Sequence, residues 1–120
     1  MAIEALWSAV LDDGGSSRSA GVVAFHRGHI FGGDANYHYQ GQYRAVQGQV
    51  GLTLVATHFH GGPSVIGGDR DTFTLELAGE TDEREMALSG QLEDDPTVKV
   101  ALHLTRVAEL PDSDADVAPT

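Results

Sequence analysis

The sequence predicts an all-β fold: an eight-stranded antiparallel up-and-down barrel of the lipocalin or calycin type. Fifteen glycines are spread along 120 residues, and the short segments between them alternate apolar with polar side chains. No segment indicates a helix long enough to cover a sheet. Consecutive strands with short connections favour a closed meander, which has no open edge. A sandwich is the alternative fold, and it requires longer crossing connections.

The first half of the chain predicts four strands, near residues 5–11, 19–26, 29–31 and 36–44. The first strand ends at a polar stretch, 12–17, that is typical of a hairpin loop. Arg27-Gly28 is a two-residue connection, and it joins the second and third strands. The fourth strand carries tyrosines at alternate positions, so they share one face.

The second half predicts four more strands, near residues 50–60, 72–79, 83–92 and 98–105. Gln47-Gly48 turns the chain into the fifth strand. The longest connection, 61–70, is interrupted by Gly and Pro and has Val65 and Ile66 at its centre. Residues 1–110 are therefore expected to form one domain, and 111–120 an acidic, disordered tail.

Composition limits the classes of function. Eighteen acidic residues against seven basic ones leave a formal charge of −11, which repels phosphate backbones and argues against direct nucleic-acid binding. The chain has no cysteine, so thiolate metal sites and disulfides are excluded. No apolar run approaches the roughly 20 residues of a membrane span. Met1-Ala2-Ile3-Glu4 is unlike a secretory signal, which predicts a cytoplasmic protein.

Six histidines raise the question of a metal site, and His58 and His60 are the best candidates because residues two apart on a strand share a face. A third ligand would come from His38, His103, Asp69 or another strand, but the spacing does not require it. A structural role is favoured, and no metal is assigned. The carboxylates cluster in loops and no serine elbow occurs, so no catalytic residue is assigned and a non-enzymatic protein is expected.

The apolar alternation predicts which side chains line the barrel interior. The tyrosine stripe of the fourth strand is expected to form core or cavity wall, with an exposed protein interface as the alternative. A small apolar ligand would contact this interior. The predicted cavity residues are Tyr37, Tyr39, Leu52, Leu54, Phe73, Leu75, Val100 and Leu102.

One block of sequence resembles the GrlR-like family, named for a negative regulator of type III secretion genes. The block is Gly-Gly-Asp at 32–34 with Tyr-Gln-Gly at 39–41, and it is followed by Pro-Ser-Val at 63–65 and Asp-Thr-Phe-Thr-Leu at 71–75. The similarity spans roughly residues 6–107. The residues that carry the motif are Gly32, Gly33, Asp34, Tyr39, Gly41, Pro63 and Ser64.

The resemblance implies a lipocalin-like barrel with an apolar cavity, usually paired as a homodimer. It also implies an anti-activator that binds a helix-turn-helix transcription activator without catalysis. The family's acidic motif, Glu-Asp-Glu-Asp, follows the Tyr-Gln-Gly block, but the matching stretch 44–48 here contains no acid. Glu93, Asp94 and Asp95 are therefore the candidate partner-binding residues, and the run 80–83 is the alternative.

Two hypotheses of function follow. The first is a non-catalytic regulator that binds another protein, and it accounts for the acidic charge. The second is a carrier or sensor of a small apolar ligand held in the barrel. No cofactor is predicted for either.

Overall fold

The computed structural model describes residues 3–12, 18–61 and 71–111, and every regular element within them is a β-strand. The strands are β1 (Ala5–Asp12), β2 (Arg18–His26), β3 (His29–Gly33), β4 (Tyr37–Val46), β5 (Gln49–His58), β6 (Thr72–Thr81), β7 (Glu85–Leu92) and β8 (Asp95–Ala108). Each strand pairs antiparallel with the next, and β8 pairs with β1 to close the barrel. The predicted eight-stranded up-and-down barrel is therefore confirmed. Among the described residues no helix is long and apolar enough to cross a membrane.

The up-and-down order places alternate connections at opposite ends of the barrel. We call the lower end the one that carries the short turns 27–28, 47–48 and 82–84. The upper end carries the turns 34–36 and 93–94, the last residues of β1 and β5 and the first residues of β2 and β6. Residues 13–17 and 62–70 lie outside the described residues. Most of the predicted tail, residues 112–120, also lies outside them.

Two of the lower turns have the geometry that their sequences predict. Arg27 and Gly28 have φ values of 51° and 82°, and Gln47 and Gly48 have values of 51° and 80°. Positive φ at both central residues defines the type I′ turn, whose twist matches that of the strands it joins. Stretch 44–48 is thus the end of β4 followed by a tight turn, which explains why it cannot hold a longer acidic loop.

The last strand begins three residues earlier than the sequence predicts. β8 starts at Asp95, which pairs with Leu92, whereas the neighbouring Gln91 pairs with Lys99. The three residues between them bulge out of the ladder. The Asp95 carboxylate stabilises this bulge by accepting hydrogen bonds from the Thr97 hydroxyl at 2.6 Å and the Thr97 backbone N–H at 3.2 Å. Acidic residues and a proline are typical of loops, and a bulge permits them inside a strand.

Alternating apolar side chains from all eight strands fill the barrel interior. At its lower end Trp7 is fully buried, and its indole N–H donates to the Ile3 carbonyl at 3.0 Å. The Arg106 guanidinium lies 5.7 Å from the centre of the Trp7 ring, within the range of a cation–π contact. Arg106 also donates to the Glu83 carbonyl at 3.2 Å, so it ties β8 to the β6–β7 turn. Trp7 and Arg106 together close the lower end.

Inward-facing glycines allow the sheet to bend tightly enough to close. A Cβ placed on Gly90 would lie 1.7 Å from the backbone oxygen of Glu76, and one placed on Gly41 would lie 1.9 Å from that of Thr53. Any side chain there would collide with the adjacent strand. Glycine kinks of this kind are a recognised means of curving a barrel wall.

Candidate binding surfaces

The Gly-Gly-Asp block ends β3 and begins the β3–β4 turn, and Asp34 holds that turn together. Asp34 Oδ1 accepts hydrogen bonds from the backbone N–H groups of Asn36 and Tyr37, both at 2.8 Å. Its other oxygen, Oδ2, accepts a 2.6 Å hydrogen bond from the Tyr39 hydroxyl. The 34–39 spacing of the motif therefore has a structural cause: one carboxylate orders the turn and satisfies a tyrosine whose ring is buried in the barrel.

Removal of the Asp34 carboxylate is expected to destabilise the fold. Asp34→Ala loses three hydrogen bonds to a charged acceptor and leaves the Tyr39 hydroxyl without this partner, which should cost about 3 kcal/mol of unfolding free energy. Tyr39→Phe removes one of the three bonds and should cost about 1 kcal/mol. Urea unfolding followed by tryptophan fluorescence measures both. Equal losses for the two variants would contradict the role assigned to Asp34.

Of the other motif residues, the structure describes the three glycines but not Pro63 and Ser64. A Cβ on Gly32 would lie 2.1 Å from the Val22 backbone oxygen, and one on Gly33 would lie 2.7 Å from that of Tyr37. Gly32, Gly33 and Gly41 therefore permit close approach of backbones, as their place in a bent wall requires. Pro63 and Ser64, like Val65 and Ile66, lie outside the described residues.

The tyrosine stripe of β4 faces inward. Tyr37 and Tyr39 are buried, and Tyr43 is half-buried against the core. The Tyr37 ring packs against Phe73, with ring centroids 5.6 Å apart. Of the two alternatives, the stripe forms core and not an exposed patch.

All eight predicted cavity residues are buried in the barrel interior. The cavity that the interior encloses is small, about 20 Å³, and its wall is almost wholly apolar. Four predicted residues line this cavity, and the other four pack in the core away from it. The lining residues are Tyr39, Leu52, Leu54 and Leu102 together with Ala9, Leu11, Val23, Phe25, Ile30 and Leu104.

This cavity has room for about one water molecule. Sites for small organic ligands usually measure about 300–1,000 Å³. The carrier hypothesis therefore requires core side chains to move apart, and it stays a prediction.

The histidine pair does not form a joint site. β5 ends at His58, so the alternation that would place His58 and His60 on one face ends there too. The His58 ring packs against Tyr37 at 5.1 Å, and its Nε2 lies 2.7 Å from the Gly61 carbonyl oxygen. His60 is exposed, and its carbonyl accepts a hydrogen bond from the Asn36 amide. Across ranges 3–12, 18–61 and 71–111, no three His, Asp, Glu or Cys side chains are grouped to hold a metal ion.

The structure separates the two acidic runs that the sequence offers for partner binding. Glu93 and Asp94 are exposed at the β7–β8 turn on the upper end, and Asp95 is half-buried at the start of β8. The run 80–83 lies at the lower end. The eight residues of β7 separate the two runs by roughly 25 Å. A single small domain would therefore contact mainly one of them.

Asp82 has a local structural role in the lower run. The backbone N–H groups of Arg84 and Glu85 donate to Asp82 Oδ1 at 2.7 and 2.8 Å, and they hold the pKa of this carboxyl below its usual range. A lowered pKa in the folded state means that the charged carboxylate stabilises the fold above the unfolded-state pKa. That contribution is lost as the pH falls through the folded-state pKa.

The Asp82 carboxyl should therefore titrate below an ordinary aspartate, as carbon-13 NMR of the side chain would measure. Asp82→Asn retains an acceptor oxygen but no titration, so its stability should fall less steeply than that of the wild-type protein below about pH 4. The prediction would be contradicted if the unfolding free energies of the two proteins fell equally steeply below about pH 4, or if the pKa of Asp82 were at or above the ordinary value.

Charge is divided between the two sides of the barrel. Strands β2–β5 contain no carboxylate, and residues 18–60 contain three arginines and a single acid, Asp34. Residues 71–111 contain ten carboxylates against three basic residues. We call the outer face of β2–β5 the neutral wall, and the outer face of β6–β8 with turns 82–84 and 93–94 the acidic wall.

The neutral wall also exposes large apolar side chains, which the sequence reasoning missed. Val22 on β2 is 43% exposed, and Phe31 on β3 is 49% exposed. Ala24 has Leu6 and Phe31 as its cross-strand neighbours, and although it faces outward it is only 6% exposed. The sequence carries one signal of this surface. Val22 and Phe31 each stand next to an inward-facing apolar residue, Val23 and Ile30 respectively, so the alternation of apolar and polar residues is broken at these positions.

No protein-family model matches this chain, and no curated protein matches it. The resemblance to the GrlR-like family therefore stays a prediction based on the motif residues.

Proposed function

We propose that this protein is a non-catalytic binding module of the cytoplasm that holds a basic protein partner against its acidic wall. The observation that carries the proposal is the division of charge. Nine of the ten carboxylates between residues 71 and 111 are exposed, and they lie on one side of a barrel whose other side has none on its strands. An electric field of one sign on one face attracts and orients a partner of the opposite sign.

The resemblance to the GrlR-like family gives the partner its chemical class. DNA-binding domains of helix-turn-helix activators carry the basic surface that contacts phosphates. An acidic wall competes for that same surface, so binding would keep the activator from DNA. We propose that the protein acts as a transcriptional anti-activator in this way.

The partner should contact the upper acidic run, Glu93, Asp94 and Asp95, before the lower one. Asp94 lies at the tip of a two-residue turn at the end of the barrel, where a partner meets little steric hindrance. Arg84 directly follows the lower run, and Arg106, which donates to the Glu83 carbonyl, forms an ion pair with Glu109 at 3.2 Å. Basic groups of the protein itself therefore offset some of the charge of the lower run.

The first test is native mass spectrometry of the tagged protein isolated from its own cells. Retention of a basic DNA-binding protein supports the proposal. Retention of extra mass of a few hundred daltons, with no protein partner, overturns it in favour of the small-ligand carrier. That result would also mean that the interior opens beyond the volume described above.

The second test uses the DNA-binding domain recovered in the first. Glu93→Gln with Asp94→Asn neutralises two charges at the upper end, and Glu80→Gln with Glu83→Gln neutralises two at the lower end. Asp82 and Asp95 are left intact because their carboxylates stabilise a turn and a bulge. The upper pair should weaken binding about tenfold and the lower pair less than about twofold at low salt. No effect from either pair would exclude the acidic wall as the contact surface.

A further inference from the structure

Gly51 is a strand glycine that the fold itself does not require. At each of the other glycines in the described strands, an added Cβ would lie 2.7 Å or less from a backbone oxygen of a neighbouring strand. At Gly51 it would meet no atom within 4 Å, and the φ of this residue is not positive. Gly51 pairs in regular register with Arg44 and Ala78, so it marks no bulge. A glycine inside a strand weakens it, and one without these causes often marks the close approach of a ligand.

An open groove, which we call the Gly51 groove, lies over this glycine on the outer face of β3–β5. It measures about 460 Å³, within the range of about 300–1,000 Å³ that is usual for small-molecule sites. Because Gly51 has no side chain, the floor of the groove stays open beside Arg44. The outward side chains in its lining are those of His29, Gln42, Arg44 and Thr53.

The outward side chains that line the groove can all donate hydrogen bonds. His29 pairs with Gln42 and Gln42 pairs with Thr53, so these three form one row across the strands. Arg44 adjoins the row, two residues beyond Gln42 on the same face. Its guanidinium is always charged and binds a carboxylate through two parallel N–H groups. No carboxylate is among the described residues that line the groove, which therefore favours an anionic group.

Two nearby acids limit the charge of a ligand in the groove. Glu76 pairs with Thr53 from β6, so the two side chains share the outer face. Glu4 accepts a hydrogen bond from the Arg27 backbone N–H near the lower end of this wall. A single negative charge on the ligand pairs with Arg44, whereas further charges would be repelled by these carboxylates. A carboxylate with one charge fits better than a doubly charged phosphate.

A second, smaller groove adjoins the first on the same strands. It measures about 340 Å³ and shares His29, Gln42 and Thr53 with the Gly51 groove. It adds Gln40 and Val55 to the lining. Amide and hydroxyl side chains donate and accept hydrogen bonds without charge, as the hydroxyl groups of a ligand require. A ligand that occupies both grooves would therefore have a carboxylate at one end and a hydroxylated body.

We propose that the Gly51 groove and its neighbour bind a small hydroxylated organic acid. The carboxylate of the acid pairs with Arg44, and its hydroxyl groups contact the row of His29, Gln42 and Thr53. Gly51 forms the floor of the site, and its lack of a side chain gives the ligand room. The site is separate from the acidic wall and from the barrel interior, so the inference does not rest on the proposed function.

Gluconate is the probe, because it has one carboxylate and a chain of hydroxyl groups. NMR of the nitrogen-15-labelled protein follows a titration from about 0.1 to 100 mM gluconate at constant ionic strength. We expect saturable shifts of the Gly51 and Thr53 backbone amides and of the Arg44 side-chain N–H. The dissociation constant should be about 1–10 mM, since the groove is open and offers one ion pair. Sorbitol, which lacks the carboxylate, should bind at least about tenfold more weakly.

Two variants test the floor and the charge of the site. Gly51→Val places a residue that suits strands at an outward position, so it should be at least as stable to urea as the wild-type protein. Its side chain fills the floor of the groove and should weaken gluconate binding at least about tenfold. Arg44→Gln should weaken binding by a similar factor because it removes the ion pair. Lys99→Gln removes the same charge from β8 on the acidic wall and should weaken binding less than about twofold.

Four results would each overturn the proposal. The first is a wild-type protein without saturable shifts up to about 100 mM gluconate, and the second is sorbitol that binds as tightly as gluconate. The third is wild-type affinity in a Gly51→Val protein whose amide spectrum shows that it is folded. The fourth is equal weakening by Arg44→Gln and Lys99→Gln, which would indicate only a general effect of charge. None of these results bears on partner binding at the acidic wall, so the two proposals fail separately.

Discussion

Gly90→Ala is expected to destabilise the barrel by about 3 kcal/mol or more of unfolding free energy. The added methyl carbon would lie 1.7 Å from the Glu76 backbone oxygen and 3.0 Å from the Leu77 Cα. These are atoms of the adjacent strand, so the collision can be relieved only if β6 and β7 move apart. Overpacking against side chains usually costs about 1–3 kcal/mol, and a backbone collision should lie at or above the top of that range.

Gly51→Ala is the matched control, since it is the same change in the strand of a barrel wall. A Cβ on Gly51 meets no atom within 4 Å, because this glycine faces outward. Alanine there should be neutral or stabilising by about 0.5 kcal/mol, since it reduces the freedom of the unfolded chain. Urea unfolding of both variants measures the difference. Similar unfolding midpoints would show that close strand approach at Gly90 is unimportant.

Trp7→Ala is the second large effect, with an expected cost of about 3–5 kcal/mol. The Trp7 side chain is fully buried, contacts Phe25 at a centroid distance of 6.0 Å, and donates to the Ile3 carbonyl. Its removal leaves a cavity at the lower end and takes away the ring against which Arg106 packs. Thermal and urea unfolding followed by far-ultraviolet circular dichroism measure the loss.

Trp7→Phe separates the contribution of the ring from that of the indole N–H. Phenylalanine keeps an aromatic face for Arg106 but loses the hydrogen bond to Ile3, so its cost should be about 1–2 kcal/mol. The order wild type, Trp7→Phe, Trp7→Ala is the expected result. If Trp7→Ala were no less stable than Trp7→Phe, packing at the lower end would not limit stability.

Most of the fold could be predicted because each strand carries its own signal. Alternation such as Val50, Leu52 and Leu54 identifies both a strand and its inward face, and glycine at the second turn position identifies a two-residue hairpin. These are local properties, and they do not depend on the rest of the chain. The start of β8 was missed since Asp95 and Pro96 carry a loop signal locally, whereas pairing with Leu92 overrides it.

The candidate surfaces could be predicted only in part. The composition indicates an acidic protein, but not that its carboxylates lie on one side, because that depends on which strands are neighbours around the barrel. The Asp34–Tyr39 bond was likewise not apparent, since it needs the turn to direct a carboxylate toward a side chain five residues away.

By itself the sequence determined the eight strands, their inward faces, the tight turns and the net charge, because alternation, turn chemistry and composition act over a few residues. Only the tertiary structure decided how much empty volume the barrel interior leaves, where glycines meet a neighbouring backbone, and that Val22 and Phe31 share an outer face whose strands carry no carboxylate. The physical reason is closure. Pairing β8 with β1 sets the radius and brings distant strands together, and neither is encoded in any single segment.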